Sequence, residues 1–497
     1  MNPVGADPRI QSSLQGTPAQ RKTNSFSAAT LSGHKSVKEQ MARETSREFV
    51  GPMPIEDFFS NFLEVDDMKG MPKVKANHFN ALPYASAGAE DNSGKKRKGK
   101  KVLETDLYDP MVRPLFFPIS FCSLLCHQIN LVLQTRVMKA KFTTLNTSAR
   151  PDPLGERDRA WKPDLSTYKN EEVPPVEEDT PGKKTSPTDF SRIALLWEFK
   201  PPNKPDPFAD PSPTATTEQR LEHNFLSGGE DGMETRGQVM ALITELSKRQ
   251  HRTHCFLVLI CDPVFRILRA DRAGIIVTEA VNFREQSQTL VEFLYRFSEV
   301  SDVKRGLDPT VRLATSDELR RSREPLSKWA PPGRYQRDFV TIEVYHKGGQ
   351  VRPVVACGAL TVPDSPTGRA TRAYPVYDLE DDVVRFLKDT WRADVEDMEK
   401  ESDILAYLND AGVEHVPKLT AGDDILGPYQ RTLTQDYVGK DWRAGKIAKL
   451  APRVHHRILE DFIPYRIADF QTTRGMLQAI HHAFIGTSPI ALVIASL

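Results

Sequence analysis

Four short apolar runs around one long amphipathic segment constrain the fold of this chain more than any other feature. Runs of this length, bounded by polar or turn residues, are typical of buried strands. They are Arg192 to Phe199, His254 to Cys261, Val264 to Leu268 and Ile275 to Val281. Between the first two, Met233 to Gln250 carries apolar residues at helical spacing, namely Val239, Leu242, Ile243 and Leu246. The pattern predicts a mixed α/β layer built around a small sheet.

A second set of elements begins near residue 334. Strand-like runs occur at Phe339 to Tyr345, Val354 to Leu360 and Val383 to Leu387. A helix is predicted from about Asp394 to Ala411, then a strand-rich stretch, then a last helix that starts near Thr472 and is interrupted near residue 485. The expected fold class is α+β, with one unit over residues 46–300 and another over 334–484.

The segments between these elements are polar, and the 37 prolines of the chain favour irregular structure. We expect disorder in residues 1–45 and in insertions at about 85–101, 169–188 and 201–232. Residues 301–333 have the composition of a linker, and 485–497 form a divergent tail. One exception is Ile55 to Val65, whose apolar residues fall at helical spacing.

Bulk composition excludes few functions. Lys+Arg and Asp+Glu balance at 67 each, so net charge predicts neither nucleic-acid nor membrane binding. Five scattered cysteines, no apolar signal core at the start and no run long enough to span a bilayer predict an intracellular protein without membrane contact. The basic run Lys95 to Lys101 is a solvated linker or a nuclear-import or nucleic-acid patch, so the location is nucleus or cytoplasm.

The second unit contains a lysine and a glutamate in an arrangement that binds phosphates in some proteins. Lys388 ends an apolar strand, and Glu401 falls within the predicted helical face of Met398, Ile404, Leu405 and Leu408. A carboxylate that faces a core is costly unless it is paired. Lys388 is therefore the expected partner of Glu401. The alternative is an exposed lysine and a partly solvated glutamate.

Several motifs in order resemble the fungal-type protein kinase family over roughly residues 160–484. They are WEFKPP (197–202), RGQ (236–238), DRAG (271–274), SPTGRATR (365–372) and FLKDTWR (386–392). The resemblance implies ATP-dependent Ser/Thr-type phosphorylation, ATP and Mg²⁺ as cofactors, and a kinase-like N-lobe with an incomplete C-lobe. It gives Lys388 and Glu401 the nucleotide-binding roles and places Gly368 in the phosphate-binding loop, although only one glycine stands there in place of G-x-G-x-x-G.

The end of the chain departs from the family pattern. The family continues into a catalytic loop and a metal-binding aspartate, whereas MLQAIHHAF (476–484) is followed by IGTSPIALVIASL. This last stretch has no Asp, Asn or Lys that could position a hydroxyl group or hold Mg²⁺. We therefore expect a truncated, kinase-inactive member whose protein substrate or binding partner the sequence leaves open.

The first unit resembles the PD-(D/E)xK restriction-endonuclease-like fold. Pro163-Asp164 opens a strand-like segment, Glu198-Phe199-Lys200 ends a buried one, and Gln238 lies on the following helix. The resemblance implies that Asp164 and Glu198 hold Mg²⁺ while Lys200 activates water for nucleic-acid cleavage. Asp67-Met68-Lys69 and Asp302-Val303-Lys304 match the same short pattern. The alternatives are an inert α/β scaffold and a non-catalytic binding protein.

Overall fold

A computed structural model describes the chain from residue 34 to residue 494, with gaps. Outside the described residues are 1–33, 76–78, 80–128, 131–140, 155–160, 176, 181–182, 201–203, 228, 330–337, 447–448, 465–469 and 495–497. The predicted insertion at 85–101 and the basic run Lys95 to Lys101 both fall in these ranges, so their predictions stay untested. The described residues form a mixed α/β structure with two large sheets, consistent with the expected α+β class.

The first half of the chain supplies the strands of an eight-stranded mixed sheet. These are β1 (Phe49–Met53), β2 (Phe142–Asn146), β3 (Leu165–Lys169), β6 (Ile193–Lys200), β7 (His254–Cys261), β8 (Val264–Asp271), β9 (Ile275–Thr278) and β10 (Val281–Asn282). A separate hairpin, β4 (Glu177–Thr180) and β5 (Lys183–Thr185), stands apart from it. The order is β1-β9-β8-β7-β6-β3-β2, with β10 beside β8. The β6–β7 and β1–β9 pairs are parallel, so a crossover connects β6 to β7.

Helices cover both faces of this sheet because successive residues of its central strands alternate between two cores. Helices α1 (His34–Glu44) and α4 (Gly229–Arg249) pack on the face that carries Leu196 and Leu257. Helices α2 (Ile55–Phe62) and α5 (Ser287–Glu299) pack on the face of Trp197 and Val258. A short helix, α3 (Thr217–Glu222), precedes α4. The predicted layer of buried strands and the predicted amphipathic helix at Ile55 are confirmed.

The second half forms a seven-stranded antiparallel sheet in the order β11-β12-β13-β14-β15-β17-β16. Its strands are β11 (Val311–Leu313), β12 (Val340–Tyr345), β13 (Val351–Ala356), β14 (Arg372–Asp378), β15 (Val383–Ala393), β16 (Leu419–Asp424) and β17 (Arg453–Glu460). Helix α6 (Ser316–Ser327) packs near β13 and β14, α7 (Glu401–Asp410) lies between β15 and β16 along the chain, and α8 (Thr473–Ile494) follows β17. None of the helices in the described part of the chain is long and apolar enough to cross a membrane.

Several segments predicted as disordered or as linkers are ordered. Residues 301–333 contain β11, which pairs with β12, and α6, whose Leu326 is fully buried, so the linker prediction was wrong. Within 1–45, residues 34–44 form α1, and within 169–188 the chain forms the β4–β5 hairpin. In the predicted insertion 201–232, Phe208 and Phe225 are buried against each other. Leu326, Phe208 and Phe225 are buried in segments whose overall composition is polar.

Two helix predictions in the second half need correction. The helix expected from Asp394 begins only at Glu401, because Asp397 adopts a left-handed conformation with φ 65° just before it. Met398 is therefore outside the helix, and Ile404 is 42% exposed, so the predicted apolar face reduces to Leu405 and Leu408. The last helix runs from Thr473 to Ile494 without the expected interruption near residue 485.

Candidate functional site

Lys388 lies in the middle of the second sheet, where β14 and β17 flank β15. Its strand neighbours are Ala373 and Ile458. Leu387, the preceding residue, points into the core of the sheet, so alternation directs Lys388 to the opposite face. The Lys388 side chain is 27% exposed, and its Nζ forms an ion pair with Oε1 of Glu401. The structure thus brings together the two residues to which the family resemblance gives nucleotide-binding roles.

Glu401 reaches this lysine from the first turn of α7 and not from the middle of an apolar face. Buried Ser402, Leu405 and Leu408 hold the helix against the sheet. Gly422 on β16 allows this close approach, because a Cβ atom there would stand 3.0 Å from the Cβ of Ser402. The predicted pair of Lys388 and Glu401 therefore forms for a different reason than expected. The helix begins later than its sequence pattern indicates, so Glu401 lies in its first turn.

A second carboxyl group, that of Glu460, lies on the same face of the sheet. Glu460 stands opposite Phe386 on β15, two residues from Lys388, and is 8% exposed. Burial raises its pKa to about 7; Lys388 opposes this shift and the nearby Glu401 adds to it. At neutral pH, Glu460 is therefore partly protonated, and the face around Lys388 carries less negative charge than its sequence indicates.

Gly368 lies in the connection between β13 and β14 and has a positive φ of 89°. A side chain would meet no atom there, so backbone conformation and not space favours glycine at this position. Its N–H donates to the carbonyl oxygen of Arg272 at 2.9 Å, and Arg272 Nη1 donates to the carbonyl of Pro366 at 2.9 Å. This amide is therefore bonded within the protein, which differs from the open loop that the resemblance implies.

The four residues of the nuclease-like constellation lie in one region of the first sheet. The Asp164 N–H donates to Trp197 O at 3.1 Å, which places Asp164, just before β3, beside the end of β6. Asp164 Oδ2 accepts from the N–H of Phe199 at 2.8 Å. Lys200 Nζ contacts Glu198 Oε1 at 2.7 Å and Gln238 Oε1 at 3.0 Å. The other two matches to the short pattern, at Asp67 and Asp302, lie outside strands.

This region is buried and covered by α1. Asp164, Glu198 and Lys200 are 6%, 0% and 4% exposed. Lys38 of α1 donates to the same Gln238 oxygen at 3.1 Å and pairs with Glu234 at 3.6 Å. Within the residues that the structure describes, no three His, Cys, Asp or Glu side chains form a metal-binding group. Lys200 bonds Glu198 Oε1 and a backbone amide bonds Asp164 Oδ2, so at least one oxygen of each carboxylate is engaged within the protein.

A buried charge cluster on the other face of the second sheet was not predicted from the sequence. Arg457 is fully buried and contacts Asp308 at 2.7 Å and Asp389 at 3.0 Å. His455 Nε2 lies 2.7 Å from Asp389 Oδ1, and its ring stacks on Trp391. Burial tends to raise the pKa of Asp308, but Arg457 and His455 outweigh it and lower that pKa to about 2. Spacing gave no signal for this cluster, because its members come from distant segments.

The comparison with known families agrees with the geometry of the second sheet. The family described as fungal protein kinase matches residues 227–490, from the start of α4 to within α8 and more than half of the chain. The chain therefore belongs to the fungal protein kinase family. No curated protein and no solved structure matches it.

Proposed function

We propose that this protein binds ATP through Lys388 and Glu401. The observation that carries the proposal is the ion pair between a strand lysine and a glutamate of the next helix. In kinases that pair places an ammonium group against the α- and β-phosphates of the nucleotide. Membership of the fungal protein kinase family supports the same roles.

The residues around Lys388 fit a polyphosphate. Lys388 is half-buried, so its ammonium group is accessible to a ligand. Its partial removal from water strengthens the electrostatic attraction to a phosphate. Glu401 fixes its direction, and the elevated pKa of Glu460 limits competition from a second carboxylate. Bound Mg²⁺ would neutralise phosphate charge.

Binding itself is tested by equilibrium dialysis with Mg·ATP. We expect a weak dissociation constant, on the order of 0.1–1 mM. Loss of a charge-assisted contact in Lys388→Met should weaken binding by about tenfold or more. Lys347→Met is the matched control, because Lys347 pairs with Asp403 on the same helix but is 64% exposed and outside the site. Equal affinity in wild type and Lys388→Met would overturn the proposal.

A second candidate is Mg²⁺-dependent cleavage of nucleic acid by the first sheet. The observation in its favour is that Lys200 contacts both Glu198 and Gln238, while Asp164 accepts a hydrogen bond from the N–H of Phe199. The test is cleavage of plasmid DNA and of single-stranded RNA with Mg²⁺. Loss of cleavage in Lys200→Ala would support this function if Lys204→Ala still cleaves. Lys204 is a suitable control because it contacts Glu234, which lies on α4 as Gln238 does. No cleavage by the wild type would leave these residues a structural role.

A further inference from the structure

Arg369, the residue after Gly368, lies in the loop before β14 and hydrogen-bonds to β15. Its carbonyl oxygen accepts from the N–H of Trp391 at 2.7 Å and from Thr390 Oγ1 at 3.1 Å. The hydroxyl groups of Thr371 and Thr390 meet at 2.9 Å, so these two residues share a face. These bonds place Arg369 next to β15, the strand that carries Lys388.

The Arg369 side chain is exposed and close to the lysine–glutamate pair. It is 58% exposed, and its Nη2 lies 3.7 Å from Oε2 of Glu401, beyond hydrogen-bond distance. That oxygen is buried and has no hydrogen-bond partner, while the other oxygen of Glu401 is held by Lys388. The Glu401 carboxylate therefore lies between two cations, and the guanidinium of Arg369 remains accessible from solvent.

The charge balance of this face favours an anion. Lys388 and Arg369 contribute two positive charges and Glu401 one negative charge, while buried Glu460 is partly protonated near neutral pH. A guanidinium presents several N–H groups in a planar fork that matches two phosphate oxygens at once. A phosphate chain that approaches Lys388 would therefore meet Arg369 as its second cationic contact.

The loop that contains Gly368 explains why a side chain is needed to contact phosphate. In a glycine-rich loop, backbone amides approach the phosphates directly. Here the Gly368 N–H donates to Arg272 O, and the loop is held by Arg272 through Pro366 as well. Arg272 lies in the turn between β8 and β9 of the first sheet and is 4% exposed. With that amide bonded internally, the cation of the next residue can contact phosphate in its place.

We infer that Arg369 binds the phosphate chain of a nucleoside polyphosphate together with Lys388, in the place that loop amides occupy in a glycine-rich loop. This inference rests on the proposed nucleotide-binding function and adds a specificity-determining residue to it. The chemical class of ligand is a linear polyphosphate, free or attached to a nucleoside.

The test measures binding of Mg·ATP and of inorganic tripolyphosphate to the full chain. Arg369→Ala should weaken both by about tenfold to a hundredfold, the loss expected for hydrogen bonds to charged groups. Arg369→Lys should recover part of the affinity, because the charge remains but the fork is lost. Arg320→Ala is the control, since Arg320 is 74% exposed and pairs only locally with Asp317. It should bind like the wild type.

The outcomes separate this inference from the function on which it rests. If Arg369→Ala binds both ligands as tightly as the wild type while Lys388→Met does not, the inference is wrong and the proposed function stands. If the wild type binds tripolyphosphate through Arg369 but does not bind ATP, the site takes polyphosphate and the proposed function fails. Absence of binding for both ligands overturns both. A thermal unfolding midpoint equal to that of the wild type shows that each variant is folded.

Discussion

At the scale of single residues, burial sets the charge of the face around Lys388. Glu460 is 8% exposed, and its pKa is raised to about 7, first by burial and then by the like charge of Glu401. In the unfolded chain the same carboxyl group titrates near 4.5. Between pH 4.5 and about 7, Glu460 is protonated in the folded protein and ionised in the unfolded chain. Its contribution to the free energy of unfolding is therefore lost as pH rises through about 7.

Glu460→Gln should therefore change stability in a pH-dependent manner. Glutamine resembles the protonated carboxyl group, so the variant avoids the cost of a buried charge above pH 7. We expect it to exceed the wild type by about 2–3 kcal/mol in free energy of unfolding at pH 8.5. The difference should shrink toward zero near pH 4.5. Urea denaturation at both pH values measures it.

The control for this prediction is Glu414→Gln, which neutralises an exposed carboxylate in the same half of the chain. It should shift stability by only a few tenths of a kcal/mol at either pH. A Glu460→Gln variant that is no more stable than the wild type at pH 8.5 would show that Glu460 is charged at little cost in the folded protein.

The residues of the candidate site differ in how far sequence could predict them. The pair Lys388 and Glu401 follows from a local pattern, because a strand end and the next helix lie close along the chain. Glu460 reaches the face of Lys388 only through the pairing of β15 with β17, and Arg369 approaches Glu401 from the loop before β14. No spacing rule connects them with Lys388. Their contribution became visible only once the register of the sheet was known.

At the scale of elements, the contact of α1 with α4 depends on one small residue. A Cβ atom on Gly237 would lie 2.1 Å from the carbonyl oxygen of Lys38, a backbone atom that no side-chain rotation can move. Val37 and Met41 are the buried apolar residues through which α1 packs on the first sheet. Glycine at position 237 therefore permits the close approach that places α1 over the nuclease-like cluster.

Gly237→Ala should displace α1. We expect faster hydrogen exchange at the backbone amides of residues 37–44 and a loss of about 1–3 kcal/mol in the free energy of unfolding, the usual cost of overpacking. Gly475→Ala in α8 is the control, because Gly475 is exposed and only the Thr472 hydroxyl is near. Unchanged exchange in α1 of the Gly237 variant would mean that the two helices are not in this close contact.

The sequence predicted best the elements that bury a continuous apolar run. Strands β6 and β7 are fully buried, and their boundaries agree with the apolar runs within one residue. Strand β14 was missed because Pro375 in its middle argues against a strand. Helix α1 was missed because few of its residues are apolar, and its order comes from packing on α4. Tertiary contacts therefore determined the secondary structure of segments whose local composition favoured no particular element.

At the scale of the whole molecule, buried polar contacts join the two sheets. Arg372 of β14 donates to the carbonyl oxygens of Ser247 and Gln250 at the end of α4, where unpaired helix carbonyls accept such bonds. Asp308 is linked by its N–H to His251 O at 3.1 Å, and its carboxylate contacts Arg457 of β17 at 2.7 Å. The segment predicted as a linker is therefore part of the junction.

Arg457→Met should destabilise the whole protein, because it leaves the Asp308 and Asp389 carboxylates buried without their main partner. Breaking a buried pair by removing one member costs about 3–5 kcal/mol. Chemical denaturation measures the loss. Arg320→Met, which removes an exposed ion pair, should cost no more than about 1 kcal/mol. Similar losses in the two variants would contradict a structural role for the buried cluster.

Lys388 and Glu401 must act as one unit if they bind the nucleotide as proposed, and a double-mutant cycle of Mg·ATP affinity tests this most directly. Calorimetric titration would compare the wild type, Lys388→Met, Glu401→Gln and the double variant. If Glu401 acts by holding Lys388, Glu401→Gln should weaken ATP binding about tenfold in the wild type and should have no further effect in Lys388→Met. Independent, additive effects of the two substitutions, or ATP affinity unchanged in both single variants, would contradict the central claim.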